Sequence, residues 1–225
     1  MKIFIGNKAY SSWSMRGWLA CKQSGLAFEE AVVPLYSDEW DRRREGNEFA
    51  PGGGKVPILW DGDDCVVWDS LAIIEYLNDK TGNTRFWPED PKARAMARSM
   101  AAEMHSSFAA LRRECPMNIR RIAPVEGVGA ETRADIVRIL EIWAQARARY
   151  GGGEDGGDFL FGAFGAVDIM FAPVVTRFVS YGIGVPPFAA AYMEAVIAHR
   201  FVQDWIAGAQ EEEWVIDQYE APAPD

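Results

Sequence analysis

Histidine and cysteine are scarce in this chain, and their scarcity excludes much chemistry. Only two histidines, His105 and His199, occur among the 225 residues. Neither has ligands at a spacing usual for a metal site, so no metal is expected. The three cysteines, Cys21, Cys65 and Cys115, form no close motif. An odd, sparse count fits a reducing compartment and not a disulfide framework. Basic residues are outnumbered, 23 Lys and Arg against 33 Asp and Glu, for a net charge of −10. Nucleic acid and anionic membrane surfaces would both be repelled. A small anion is not excluded, because a local cluster of donors outweighs a distant field. No apolar run approaches the ~20 residues that span a bilayer. The opening Met1-Lys2-Ile3-Phe4-Ile5-Gly6 turns polar too soon for a signal peptide, so a cytoplasmic protein is expected. Two familiar motifs are missing as well. No Gly-x-Ser-x-Gly elbow of a serine hydrolase occurs. Gly54-Lys55 is not a phosphate-binding loop, since Val56 follows the lysine and Phe49 stands where the leading glycine belongs.

What is present is an ordinary globular composition, 49% hydrophobic and 25% charged, with enough apolar residues for a sizeable core. The first part alternates strand and helix signals. Residues 2–6 read as a strand with Ile3 and Ile5 on one face, and 14–24 as a helix stopped by Gly25. Residues 28–35 read as a second strand. Residues 57–60 and 65–68 flank Asp61-Gly62-Asp63-Asp64 as a hairpin, and Ser70 opens a helix that ends near Gly82. The order is βαβ, then ββα. After a proline-bearing linker only helical patterns follow, over 92–113, 131–150, 167–181, 188–198 and 201–212. The glycine- and acid-rich stretch 151–158 reads as an exposed loop, and the acidic tail after Trp214 as wrapping or dangling. Two domains are therefore expected, residues 1–82 and 92–225, joined by a linker over 83–91.

Three stretches carry chemistry. Tyr10-Ser11-Ser12-Trp13-Ser14-Met15-Arg16 leads from the first strand into the first helix. A helix N-terminus offers unpaired N–H groups and a positive dipole end, and a hydroxyl there can donate to a thiolate; a plain N-cap is the bland alternative. Val56-Pro57 opens a strand, where a cis bond would turn the Val56 backbone groups outward to pair with an extended peptide. Asp69-Ser70 begins a helix. The Ser70 hydroxyl and neighbouring N–H groups suit a carboxylate and Asp69 suits an ammonium, so together they fit the end of an amino acid.

This order, a serine-led segment, then Val-Pro at a strand start, then Asp69-Ser70-Leu71-Ala72-Ile73-Ile74-Glu75-Tyr76-Leu77, resembles the cytosolic glutathione transferases over nearly the whole chain. Ser11-Ser12-Trp13-Ser14 is most similar to the Ser-Ser-Cys-Ser of the zeta class, with Trp13 in place of the cysteine. The family also starts a buried helix with a Ser/Thr-x-x-Asp capping box; here Gly165-Ala166-Val167-Asp168 keeps only the Asp, with Phe164 and Ile169 placed for a hydrophobic staple.

The resemblance implies a thioredoxin-like α/β domain followed by an all-α domain, with glutathione as co-substrate and a homodimer as the assembly. Val56 would pair with the central residue of glutathione. Asp69 and Ser70 would meet its γ-glutamyl end, and Lys55 its glycine carboxylate or only solvent. Ser11, five residues before Arg16, would stabilise the thiolate, with Ser12 the runner-up. The electrophile would lie between Trp13 and a long helix carrying Met104, Phe108 and Arg112. Implied activities are glutathione transfer to electrophiles or a zeta-like isomerisation of maleylacetoacetate; a non-catalytic binding or scaffold module is the third reading. A thioredoxin-type oxidoreductase is set aside, because Cys21 falls well inside the first helix.

Overall fold

The computed structural model describes residues 1–83, 85–151 and 156–220. The expected linker, the 151–158 loop and the end of the tail each include residues outside these.

β1 (Lys2–Ile5) alternates as its pattern dictates: Ile3 and Ile5 face the main core, and Phe4 points to the other side of the sheet. α1 (Ser12–Ser24) starts earlier than the apolar periodicity suggests, because Ser11 caps it, and it stops at Gly25 in the left-handed conformation. β2 (Glu29–Val32) lies parallel to β1. β3 (Ile58–Asp61) and β4 (Cys65–Trp68) form the expected hairpin, and α3 (Ser70–Lys80) follows. The sheet order is β2-β1-β3-β4, with β1–β3 and β3–β4 antiparallel, a thioredoxin-like arrangement. One helix lies outside the sequence expectation. α2 (Asp38–Arg44), between β2 and β3, buries only Trp40, which joins Phe4, Phe49 and Ile58 on the far face of the sheet.

From residue 91 onward the described chain is helical: α4 (Pro91–Ser106), α5 (Ala109–Glu114), α6 (Ala130–Tyr150), α7 (Ala166–Ser180), α8 (Pro187–Ala198) and α9 (Arg200–Glu211). The single helix expected over 92–113 is a correction. It breaks after Ser106, and Phe108 takes a left-handed φ of 62° as the cap of α5. Arg112 folds back to donate from Nη2 to the Met104 carbonyl (2.5 Å), satisfying an acceptor that the broken ladder leaves open. Met104 and Phe108 therefore do not share a helix face.

α7 is apolar nearly all round, the signature of a helix enclosed by protein. It packs on α1 and α4, so one hydrophobic core runs from the sheet through to α9. Gly165 caps α7 because nothing larger fits: a Cβ there would stand 2.7 Å from the Phe86 carbonyl oxygen. The cap is completed from the other end. Asp168 accepts from the Gly165 N–H (2.9 Å) and the Leu160 N–H (3.3 Å), and Phe164 and Ile169 are both buried in the core. Asp168→Ala would leave the Leu160 and Gly165 N–H groups without this acceptor. It should cost about 2 kcal/mol or more of stability, read as a shift in the denaturation midpoint.

Candidate functional site

The loop between β1 and α1 is fixed from both halves of the molecule. The Tyr10 and Ser11 N–H groups donate to the Asn7 carbonyl at 3.3 and 2.9 Å. The helical part adds its own ties. The Glu212 carboxylate accepts from the Lys8 and Ala9 N–H groups at 2.5 and 3.0 Å, and Trp205 Nε1 donates to the Lys8 carbonyl at 3.0 Å. Ser11 leaves this loop as the N-cap of α1. Its Oγ accepts weakly from the Ser14 N–H (3.3 Å) and donates to Ser14 Oγ (2.8 Å), which also accepts from the buried Gly6 N–H (2.9 Å).

Ser11 lines a cavity of about 660 Å³ together with Lys55, Val56, Pro57, Asp69 and Ser70. Three separate stretches of sequence thus meet around one space, of a size usual for small-molecule sites. Ser12 is buried and does not line it. The Val56–Pro57 bond is cis, as the reading of that pair anticipates. Pro57 is seated directly on α1, where a Cβ on Gly17 would come within 2.8 Å of its ring. That contact holds the Val56-Pro57 segment beside the start of the helix.

Asp69 and Ser70 sit at the head of α3. Asp69 has φ 74° and ψ 134°, a region costly for a residue with a side chain and one that recurs at functional sites. Its Oδ1 accepts from the Leu71 N–H (2.8 Å), and its Oδ2 lies 3.3 Å from His105 Nε2. Ser70 is fully buried, yet its Oγ has no hydrogen-bond partner among the described residues. A buried hydroxyl left unpaired is costly unless a ligand completes it. Lys55 is exposed at the rim.

The second group of expected residues is divided. Trp13 lines the cavity, is 36% exposed, and has the Arg112 guanidinium carbon 5.0 Å from its ring centre. Met104 and Phe108 do not line the cavity; they are core residues, 0% and 4% exposed, packed in the main hydrophobic cluster. The cavity also takes in Leu35, Tyr36, Trp40, Gly52 and Trp68, and the first four carry no local sequence signal. Only Trp68, next to Asp69 and on the strand leading into it, was within reach of a pattern argument. Among the described residues no group of His, Cys, Asp or Glu is arranged to hold a metal, and all three cysteines are free. No described helix is long and apolar enough to cross a membrane.

Residues 10–80 match the family model of the glutathione S-transferase N-terminal domain. The chain is similar to glutathione S-transferase GstB of Escherichia coli K12, 26% identical over 182 residues that cover 76% of this chain and 84% of the relative. It is also similar to maleylacetoacetate isomerase of Pseudomonas aeruginosa PAO1, 29% identical over 121 residues covering 54% and 56% of the two chains. A glutathione transferase homolog from Burkholderia, solved with bound glutathione, superposes with a TM-score of 0.69 at 24% identity, covering 94% of this chain and 98% of that one.

Proposed function

The chain is a member of the glutathione S-transferase family, and on that premise we propose that it transfers glutathione to electrophiles, with Ser11 stabilising the thiolate. The unpaired Ser70 hydroxyl carries the reading: a buried polar atom beside Asp69, in the same cavity as Ser11 and the cis Val56–Pro57 pair. Ser70, at the head of α3, would hold the γ-glutamyl carboxylate, and Asp69 its ammonium. Val56 would meet the central residue, and Lys55 the glycine carboxylate. Glutathione supplies the sulfur nucleophile.

Ser11 provides no base. A thiol of pKa ~8.5 is ionised by only a few per cent at neutral pH. Lowering that value by about two units takes roughly 2.7 kcal/mol. A hydrogen bond to a charged acceptor, about 1.5–3 kcal/mol, together with the positive end of α1 is of that order. Ser14 frees the donor. If the Ser14 hydroxyl turns to supply the proton of its bond with Ser11, the Ser11 proton is available to a ligand, while Ser14 Oγ still accepts from Gly6.

We take residues 1–82 as the glutathione-binding domain, 83–91 as the linker and 92–225 as the electrophile-binding domain of a cytoplasmic homodimer. A second reading, glutathione-dependent isomerisation, is favoured by the similarity to a maleylacetoacetate isomerase and would use the same Ser11. Turnover of maleylacetoacetate against aryl halides and peroxides separates the two. The test common to both is binding. Millimolar glutathione should raise the melting temperature by several degrees, because a ligand selective for the native state stabilises it; an unmoved melting curve would sink the assignment.

A further inference from the structure

Arg16 is an unusual residue to find enclosed. Its exposure is 0%, and none of Nε, Nη1 and Nη2 has a hydrogen-bond partner among the described residues. A guanidinium carries five N–H donors and keeps its charge, so leaving it bare in the interior is among the most expensive arrangements a fold can hold. Its surroundings add to the cost. Burial lowers its pKa first, and the nearby charges of Arg112 and Arg177 lower it further, against a smaller opposing effect from Asp69.

The neighbouring groups are already committed. Arg177 donates to the Cys115 and Pro173 carbonyls, both at 2.9 Å. Arg112 donates to the Ser107, Met104 and His105 carbonyls from Nε and Nη2, and its Nη1 makes no hydrogen bond among the described residues. Asp69 is engaged by Leu71 and His105. Three guanidiniums from α1, α5 and α7 therefore converge with a single carboxylate near Arg16, and Arg16 is the one of the three whose side-chain nitrogens all lack a partner among the described residues. Trp13 connects this cluster to the cavity: its ring centre is 4.8 Å from the Arg16 guanidinium carbon and 5.0 Å from that of Arg112, and the ring itself lines the space that Ser11 lines.

We propose that Arg16 and Arg112, reached when Trp13 swings aside, form a carboxylate site for the second substrate, so that the favoured electrophile is an aromatic acid. The acid group would take the planar donor edge of Arg16, the geometry that guanidinium recognises best, and the aromatic body would lie against Trp13. This inference rests on the transferase reading, because it places the acid beside the sulfur that Ser11 would hold.

Calorimetric titration with sodium benzoate and with benzamide, a neutral probe of nearly the same shape, tests it, with glutathione titrated in parallel. Wild type should bind benzoate at least tenfold more tightly than benzamide. Arg16→Met, which keeps length and loses charge, should abolish that ratio, and Arg16→Lys should retain part of it. Glutathione affinity should change less than twofold, since Arg16 does not line its cavity. Equal binding of the two probes by wild type, or a preference that survives Arg16→Met, overturns the proposal. Should Arg16→Met fail to fold, Arg112→Met carries the same expectation: a preference of unreduced size overturns the site. Glutathione that fails to bind while the benzoate preference holds overturns the transferase reading and leaves the carboxylate site standing.

Discussion

Ser11→Ala should raise the pKa of bound glutathione by about one to two units and slow conjugation at pH 7 by about ten- to a hundredfold. The proposed role of the hydroxyl is to favour the thiolate over the thiol, so its loss reduces the ionised fraction and leaves the rest of the site in place. Activity should recover partially in alkaline buffer, where hydroxide does what the serine did. Ser12→Ala is the control. Ser12 does not line the cavity, and its removal should leave the thiolate pKa nearly unchanged. Ultraviolet titration of the bound thiolate in both variants decides the matter. A larger shift for Ser12→Ala would transfer the role to Ser12, and no shift in either would remove the serine segment from the chemistry.

Ser70→Ala should weaken glutathione binding by about ten- to a hundredfold, the worth of one hydrogen bond to a charged group. The same change should leave the ligand-free protein as stable as before, or slightly more so. The Ser70 oxygen is buried and makes no hydrogen bond with any described residue, so removing it takes away a desolvation penalty and no bond. Affinity and stability therefore move independently, which an ordinary cap would not allow. Calorimetric titration gives the affinity and a ligand-free melt gives the stability. A variant that loses stability but binds glutathione normally would show that Ser70 serves the helix and not the ligand.

Local pattern made much of this architecture legible. The β3–β4 hairpin is written in its Asp-Gly turn, and α3, α6, α7, α8 and α9 in their apolar periodicity and end signals. α2 was not readable, because Asp-Glu-Trp-Asp-Arg-Arg-Arg offers one apolar residue and no repeating face. The break at Phe108 was hidden for another reason. It depends on Arg112 returning to the Met104 carbonyl, a contact between side chain and backbone that no periodicity encodes. For the site, the meeting of Ser11, Val56-Pro57 and Asp69-Ser70 came from family resemblance, and the structure brings them around one cavity. Tyr36 and Trp40 reach that cavity only through tertiary packing. Arg16 is the sharpest case, since a charged residue in an amphipathic helix reads as solvated, whereas here it is enclosed between α1 and the helical half.

The clasp of Glu212 on the Lys8 and Ala9 amides has a consequence for how the protein is made. Residues 8 and 9 leave the ribosome early, whereas their partner is some 200 residues further along the chain. At ordinary rates of synthesis that gap is roughly ten to forty seconds. During it the loop that presents Ser11 lacks the contacts from Glu212 and Trp205. For that interval the segment carrying Ser11 is tied to its own half of the chain, through Asn7 and Ser14. Competence to bind would arrive late, when α9 docks and Glu212, at its end, closes on the first loop.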